Sequence, residues 1–318
     1  MKTLTLKPAS SEAYAPSVWE GVWVVNKPAG MTSSKVLHGL RKTARMQKMG
    51  FLGTLDPIAT GVLPIFVGWA TKIIPFIPNN PKGYRAVMIL GQKRDTQDRS
   101  GQVVFSTPEA LPERPQVEAV FEEFIGSREQ VPPSFSALKY KGKPLYQWAR
   151  QGIPIVKPPR QITIDTLKVL QMEGERVTFE MFCSPGTYVR TLCHDVGERL
   201  GCGAYLDQLQ RIQSGPFTLA QAQPLERIQK ASGEEEIKAL KIPLEKILEG
   251  FPQVRMEWKW KEIIKQGGVI GSDLGGGPLT AIETGKPIFL TSPRGELWAV
   301  YQKVGHPKQG FKPIRVII

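Results

Sequence analysis

Residues 50–72 read GFLGTLDPIATGVLPIFVGWATK. Gly50, Gly53, Gly61 and Gly68 punctuate the stretch, and Pro57 and Pro64 stiffen it. Its second half, Gly61–Gly68, is short and apolar, as a buried strand or the start of a buried helix would be. Its first half holds Asp56, the one acidic residue between Asn26 and Gly91. Two readings fit that carboxylate. Leu-Asp-Pro suits a turn or a helix N-cap with proline at the first helical position. A lone acid in a basic, glycine-punctuated segment also suits a catalytic carboxylate on a stiff loop.

The charge around Asp56 favours an anionic partner. The chain of 318 residues carries a formal net charge of +13. Residues 21–100 hold 12 Lys+Arg against 3 Asp+Glu, so the excess concentrates around this one acid. Such a field attracts polyanions, nucleic acid first and an anionic membrane second. No apolar run approaches the roughly 18–20 residues that span a bilayer, so no membrane segment is expected. The first residues lack the apolar centre of a signal peptide. Cys183, Cys193 and Cys202 are an odd number without a C-x-x-C pair. That predicts reduced thiols and a cytoplasmic location. His194 beside Cys193 does not complete a zinc set, so no metal is expected.

Working outward, residues 1–20 read as a leader. Gly21–Val25 reads as a buried strand closed by the turn residues Asn26-Lys27-Pro28-Ala29-Gly30. Thr32 or Ser33 then caps a helix whose apolar stripe is Val36, Leu37, Leu40 and Ala44. Tyr84–Gly91 reads as a strand, Gln92–Gln102 as a polar loop, and Pro115–Ile125 as an amphipathic helix stopped at Gly126. Pro132–Arg150 mixes aromatic residues with lysines, a composition that serves either RNA contact or ordinary surface packing. Ile162–Leu170 and Val177–Cys183 read as strands, the second with Val177, Phe179, Met181 and Cys183 on one face. Tyr188–Leu200 reads as a helix and Gly233–Leu248 as an acidic connecting helix. The order lacks a regular βαβ rhythm, which predicts an α+β fold with a mixed or antiparallel sheet. From Phe251 onward, short apolar runs and glycine turns such as Gly275-Gly276-Gly277 predict a small all-β module. The expected division is 1–20, 21–250 and 251–318.

The chain contains no G-x-x-x-x-G-K-[ST], no strand-borne G-x-G-x-x-G and no G-x-S-x-G, so phosphate-loop, dinucleotide and serine-hydrolase chemistry find no footing. What remains is a set of ordered motifs. Asn26-Lys27-Pro28-Ala29-Gly30-Met31-Thr32-Ser33 precedes Gly53-Thr54-Leu55-Asp56-Pro57, and Ala59-Thr60-Gly61-Val62-Leu63-Pro64 follows it. Lys82-Gly83-Tyr84-Arg85, Pro133–Lys139, Cys183–Leu192 and Leu209–Phe217 continue the series. In this order the motifs resemble the TruB family of tRNA pseudouridine synthases across residues 21–217. The tail resembles, more weakly, a PUA-type RNA-binding module.

The resemblance implies a pseudouridine synthase core that isomerises uridine 55 in the T loop of tRNA. It implies no cofactor, since the reaction exchanges an N1–C1′ bond for a C5–C1′ bond without net oxidation. The partner it implies is the tRNA T arm, with no obligate protein partner. It casts Asp56 as the catalytic carboxylate, Arg190 as its ion-pair partner and Tyr84 as the platform under the extruded base. Leu209 is cast as pocket lining, with Lys27, Phe51, Tyr188 and Arg211 as further contacts around the substrate. Lys27 is expected to buttress the loop. The family usually has histidine where Phe51 stands, and phenylalanine stacks but donates no hydrogen bond. That difference motivates one alternative, a tRNA-binding or RNA-folding protein without synthase activity. The other is a guide-RNA-dependent relative. The trio Asp56, Tyr84 and Arg190 favours an enzyme over a binder, and the Ala59–Pro64 wording favours the stand-alone branch.

Overall fold

The computed structural model describes residues 17–107, 110–271, 283–305 and 310–318. The leader as far as residue 16 and the Gly275–Gly277 turn lie outside the described residues. Two sheets dominate. The larger has ten strands. Its main elements in chain order are β1 (Gly21–Lys27), α1 (Ser33–Ala44), β2 (Met49–Phe51), β3 (Thr60–Val67) and β4 (Lys82–Leu90). Then come α2 (Arg114–Phe124), β5 (Gly126–Gln130), β6 (Arg160–Glu173), β7 (Arg176–Cys183), α3 (Val189–Arg199) and β8 (Ala204–Ser214). Across the sheet the order is Gln223–Pro224, β1, β3, β8, β4, β7, β6, β5. Most neighbours are antiparallel, but β8 runs parallel to β3, and Gln223–Pro224 runs parallel to β1. The expected mixed sheet in an α+β fold is present.

Strand alternation sends side chains to two apolar layers. Trp23 and Val25 of β1 enter the main core, where Val36, Leu37 and Leu40 of α1, Phe121 of α2 and Leu192 of α3 cover the sheet. Val177, Phe179, Met181 and Cys183 of β7 all face that layer. Each such buried side chain contributes about 1.5–3 kcal/mol. Val22 and Val24 point the other way, into a second layer shared with Phe66, Ile73, Phe289, Leu297 and Val300. That layer joins the core sheet to the tail. Lys72 adds a polar tie, its Nζ donating to the carbonyls of Val316 and Ile317 at 3.0 and 2.9 Å. The tail is thus packed on the core.

Thr32 caps α1 by accepting from the Lys35 amide at 3.1 Å. Of the Gly61–Gly68 run, all but Gly68 resolves as strand, consistent with its β-branched and aromatic content, and Gly68 opens the short helix that follows. Some local readings need correction. Gln92–Gln102 begins as a strand, Gln92–Arg94, paired with Val103–Ser106. Gly233–Leu248 is two short helices, Glu234–Ala239 and Leu244–Ile247, because Pro243 cannot continue the first. The tail sheet runs Gln253–Arg255, Pro287–Thr291, Leu297–Val304, Gly310–Val316. It also carries a helical turn, Lys261–Lys265, which the all-β reading omits. Ile264 explains that turn: it is the buried side chain that docks it on the sheet. The three thiols are free and buried. Among the described residues, no helix is long and apolar enough to cross a membrane.

Candidate active site

Asp56 sits on a loop that is clamped from several sides. Its own carbonyl accepts from the Ala59 amide at 3.1 Å, closing a turn with Pro57 at the second position. The carboxylate caps no helix and is free to point elsewhere. Ser33, at the start of α1, accepts from the Leu55 amide at 2.9 Å and donates to the Leu55 carbonyl at 3.2 Å. The Gly30 amide donates to the Pro57 carbonyl at 2.8 Å. Lys27 is fully buried at the end of β1. Its Nζ donates to the carbonyls of Met31 (2.6 Å), Pro28 (2.8 Å) and Pro57 (3.5 Å). Burial pushes its ammonium down to about 8, against the attraction of Asp56.

From the opposite side Arg211 of β8 reaches under the same loop. Its Nε donates to the Val62 carbonyl at 2.7 Å and its Nη2 to the Gly53 carbonyl at 2.9 Å. A longer contact runs from Nη1 to the Thr54 carbonyl at 3.4 Å. Gly61, at φ +96°, lies flat against this strand, where an added Cβ would meet the Arg211 carbonyl oxygen at 2.2 Å. Only glycine fits such a close approach of two backbones.

The Asp56 side chain meets Arg190, the second residue of α3, with Nε 2.9 Å from Oδ2. Arg190 is itself fixed from behind, donating from Nη1 to the Thr96 carbonyl (3.2 Å) and from Nη2 to the Phe135 carbonyl (3.0 Å). A second carboxylate, Asp98, lies 3.7 Å from the same Nε. Thr96 Oγ1 and the Ser100 amide hold Asp98 at 2.9 Å each.

Asp56 and Arg190 open onto a cleft of about 360 Å³. Tyr84, Tyr188, Leu209, Lys82 and Arg160 line it. Tyr84, buried on β4, has its phenol pushed up to about 12 by burial, so it is neutral at pH 7. The Arg160 guanidinium stacks on the Tyr188 ring at 4.7 Å. One wall is thus aromatic and apolar, and the rest is charged. That is the composition of a pocket for an extruded base.

The family assignment follows from comparison with known sequences. Residues 41–189 match the family model described as TruB family pseudouridylate synthase, N-terminal domain. Residues 190–249 match the tRNA pseudouridylate synthase B C-terminal domain. The chain belongs to the TruB family. A protein named tRNA pseudouridine synthase B from Geobacillus thermodenitrificans is 38% identical over 93% of this chain and 99% of its own length. One of the same name from Syntrophotalea carbinolica is 42% identical over 74% of this chain and 77% of its own. A third, from Geobacter sulfurreducens, is 49% identical over 66% and 69%. Among solved structures, an H/ACA RNP bound to a substrate RNA containing 2′-deoxyuridine superposes with TM-score 0.71 at 23% identity. It covers 95% of this chain and 86% of that one, and shares the fold.

In this TruB-family chain five residues singled out from the sequence meet at the cleft: Asp56, Tyr84, Tyr188, Arg190 and Leu209. Arg211 touches the cleft too, but its donors serve the loop carbonyls rather than open solvent. Lys27 and Phe51 do not line it. Lys27 is the buttress beneath the loop. Phe51, on β2 opposite Ile65, packs half-buried against the main core, so its ring is engaged by the protein. Sequence reasoning passed over Asp98, Arg160 and Lys82. Asp98 had a local signal, since Thr96-x-Asp98-x-Ser100 is a pattern of side chains that satisfy one another in a turn. Among the described residues, no group of His, Cys, Asp and Glu is placed to hold a metal ion.

Proposed function

We propose that this chain converts uridine 55 in the T loop of tRNA to pseudouridine, acting alone on naked tRNA with Asp56 as the catalytic carboxylate. The observation that carries the reading is a half-exposed carboxylate gripped by a buried arginine at the mouth of an aromatic-lined cleft. The tRNA substrate comes from the names of relatives that match most of the chain. Extruded uracil stacks on Tyr84 and packs on Leu209. The N1–C1′ bond breaks, the base turns, and C5 bonds to C1′ as its proton leaves. Either opening step, attack of Asp56 on C1′ or removal of the C2′ proton, uses the carboxylate oxygen that Arg190 leaves free. The ion pair keeps that oxygen aimed. Because the Tyr84 phenol is protonated at pH 7, it serves as platform and hydrogen-bond donor, not as a phenolate base.

Residues 21–250 form the catalytic unit of this reading and 251–318 its RNA-contacting tail. In the tail Trp258 is largely exposed, with Lys261 and Arg294 over its ring at 5.7 and 5.8 Å. A ring edged by cations suits stacking on RNA. A cytoplasmic location suits the three free thiols.

The test is tritium release from tRNA transcripts labelled at uridine C5, with purified protein and no added RNA or partner. Release is expected, and it should vanish in a transcript with the target uridine replaced. Tight tRNA binding without release would overturn the assignment in favour of a binding protein.

A further inference from the structure

The floor of the cleft holds two buried cations and no carboxylate. Lys82, the first residue of β4, is 4% exposed. Its Nζ donates to Asn79 Oδ1, and to Ser214 Oγ at 2.6 Å. Both acceptors are neutral. Arg211 is 1% exposed and donates to the backbone carbonyls of Val62, Gly53 and Thr54. The two cations are neighbours: an added Cβ on Gly53 would meet Lys82 Nζ at 3.0 Å and Arg211 Nη1 at 3.1 Å. The Tyr84 phenol and the Cys183 thiol also face this corner, both pushed up to about 12 by burial and therefore neutral, and buried Lys27 adds a further cation on the far side of Arg211. Asp56 is engaged with Arg190. Burial and the neighbouring Arg211 push the Lys82 ammonium down to about 7.

Unbalanced buried charge is costly, and it concentrates where an opposite charge arrives during function. The reaction proposed above generates such a charge. When the N1–C1′ bond breaks, its electron pair leaves with the base, giving a uracilate whose charge spreads over N1, O2 and O4. At C1′ the lost bond is replaced by one to an Asp56 oxygen, or by a C1′=C2′ double bond if Asp56 takes the C2′ proton. C5 then bonds to C1′ as the carboxylate departs or the proton returns to C2′. The C5 proton leaves to solvent and N1 gains one, so the base is isomerised with no oxidant or reductant.

We propose that Lys82, backed by Arg211, is a further catalytic residue, whose Nζ donates to a carbonyl oxygen of the target uracil and stabilises the departing uracilate. Lys82 lines the cleft, and two of its three ammonium protons are committed, leaving one for the substrate. The symmetry of uracil suits a fixed donor. A half-turn about the N3···C6 axis exchanges N1 with C5 and also exchanges O2 with O4. One donor in the floor therefore meets a carbonyl oxygen before the turn and the other carbonyl oxygen after it. A lysine, with a single point charge, accommodates that exchange better than a planar fork.

The inference rests on the proposed isomerisation and has its own test. Single-turnover rates are measured with excess protein on tRNA carrying uridine, or 5-fluorouridine, at the target position. Cleavage of the original N-glycoside is read by digestion and mass spectrometry. Fluorine withdraws electrons, so fluorouracil leaves more readily and needs the cation less. Lys82→Met is expected to slow uridine by about 100-fold or more, the usual cost of one preorganised donor to a developing anion. It should slow 5-fluorouridine at least about tenfold less and leave the tRNA dissociation constant within about threefold. Lys82→Arg should restore part of the rate, and Lys82→Gln, a donor without charge, should fall between. Thermal denaturation of each variant reports its folding. Equal losses on the two substrates, or no loss on uridine, would overturn the role of Lys82. Wild-type protein that leaves uridine intact would instead overturn the proposed reaction.

Discussion

Arg190 Nε lies 2.9 Å from Asp56 Oδ2, yet the two side chains differ sharply in exposure, 4% for the arginine and 34% for the aspartate. The arginine is the fixed member. Carbonyls of Thr96 and Phe135, from two separate loops, hold its other nitrogens. The aspartate gives the pair one oxygen and faces the cleft with the other. The pair anchors the carboxylate and leaves it an exposed edge on the cleft.

Replacing that edge separates chemistry from binding. Asp56→Asn keeps the size and a carbonyl oxygen but removes the charge. Isomerisation should fall by about 10³-fold or more, while tRNA affinity, set by cations elsewhere, changes little. Tritium release paired with filter binding measures both. Turnover within tenfold of wild type would remove Asp56 from the mechanism.

Arg190→Lys tests the geometry rather than the charge. Lysine supplies one ammonium where the guanidinium makes three directed contacts, so the Thr96 or Phe135 carbonyl loses its donor. The expected outcome is a fall in kcat of about 10²-fold, with KM altered far less. Equal losses in kcat and affinity would point to a direct RNA contact instead.

Much of this arrangement was legible from the sequence, for identifiable reasons. The α1 stripe and the inward face of β7 follow from periodicity, because each buries one face against the main core, and β1 follows from its continuous apolar run, because both of its faces are buried. Asp56 stood out by its isolation. Tyr84, Arg190 and Leu209 did not stand out locally. They converge only because β4 pairs with β8 and α3 follows the turn after β7, and the order of family motifs carried that information. The failures share one cause. Arg211 reads as a substrate contact, and Lys27 as both a substrate contact and a buttress, because composition does not say which cations are buried. Lys82 stands in the Lys82-Gly83-Tyr84-Arg85 motif but just before the strand read at Tyr84–Gly91, and only the pairing of Lys82 with Ser214, and of Tyr84 with Arg211, brings it beside a second cation.

Gly61→Ala should dismantle the loop from a distance. The substitution sits at φ +96° and drives Cβ into the Arg211 backbone. The β3–β8 ladder there spans only Thr60 opposite Gln210 and Gly61 opposite Arg211. A loss of about 2–4 kcal/mol is expected, read by denaturant unfolding. Because Arg211 holds the Gly53 carbonyl, activity should fall more than the folded fraction does. A variant as stable as wild type would show that the close approach relaxes freely.

Lys82→Met should cost turnover and raise stability. The Lys82 pKa is about 7 in the folded chain, below the ordinary lysine value near 10.4 expected when unfolded. The folded state therefore binds fewer protons than the unfolded state between those values, and wild-type stability rises with pH across that window. The penalty is complete below about pH 7 and fades toward pH 10. Methionine fills similar volume without it. The stability advantage of Lys82→Met over wild type should then be larger at pH 6.5 than at pH 9.5 by roughly 2–3 kcal/mol. Chemical denaturation of both proteins at the two pH values measures it, and every other titrating group cancels in the difference. A pH-independent difference would mean that Lys82 stays charged in the free protein, with Asn79 and Ser214 solvating it well enough. The predicted opposition of stability and turnover is what a cation kept for a transient anion requires.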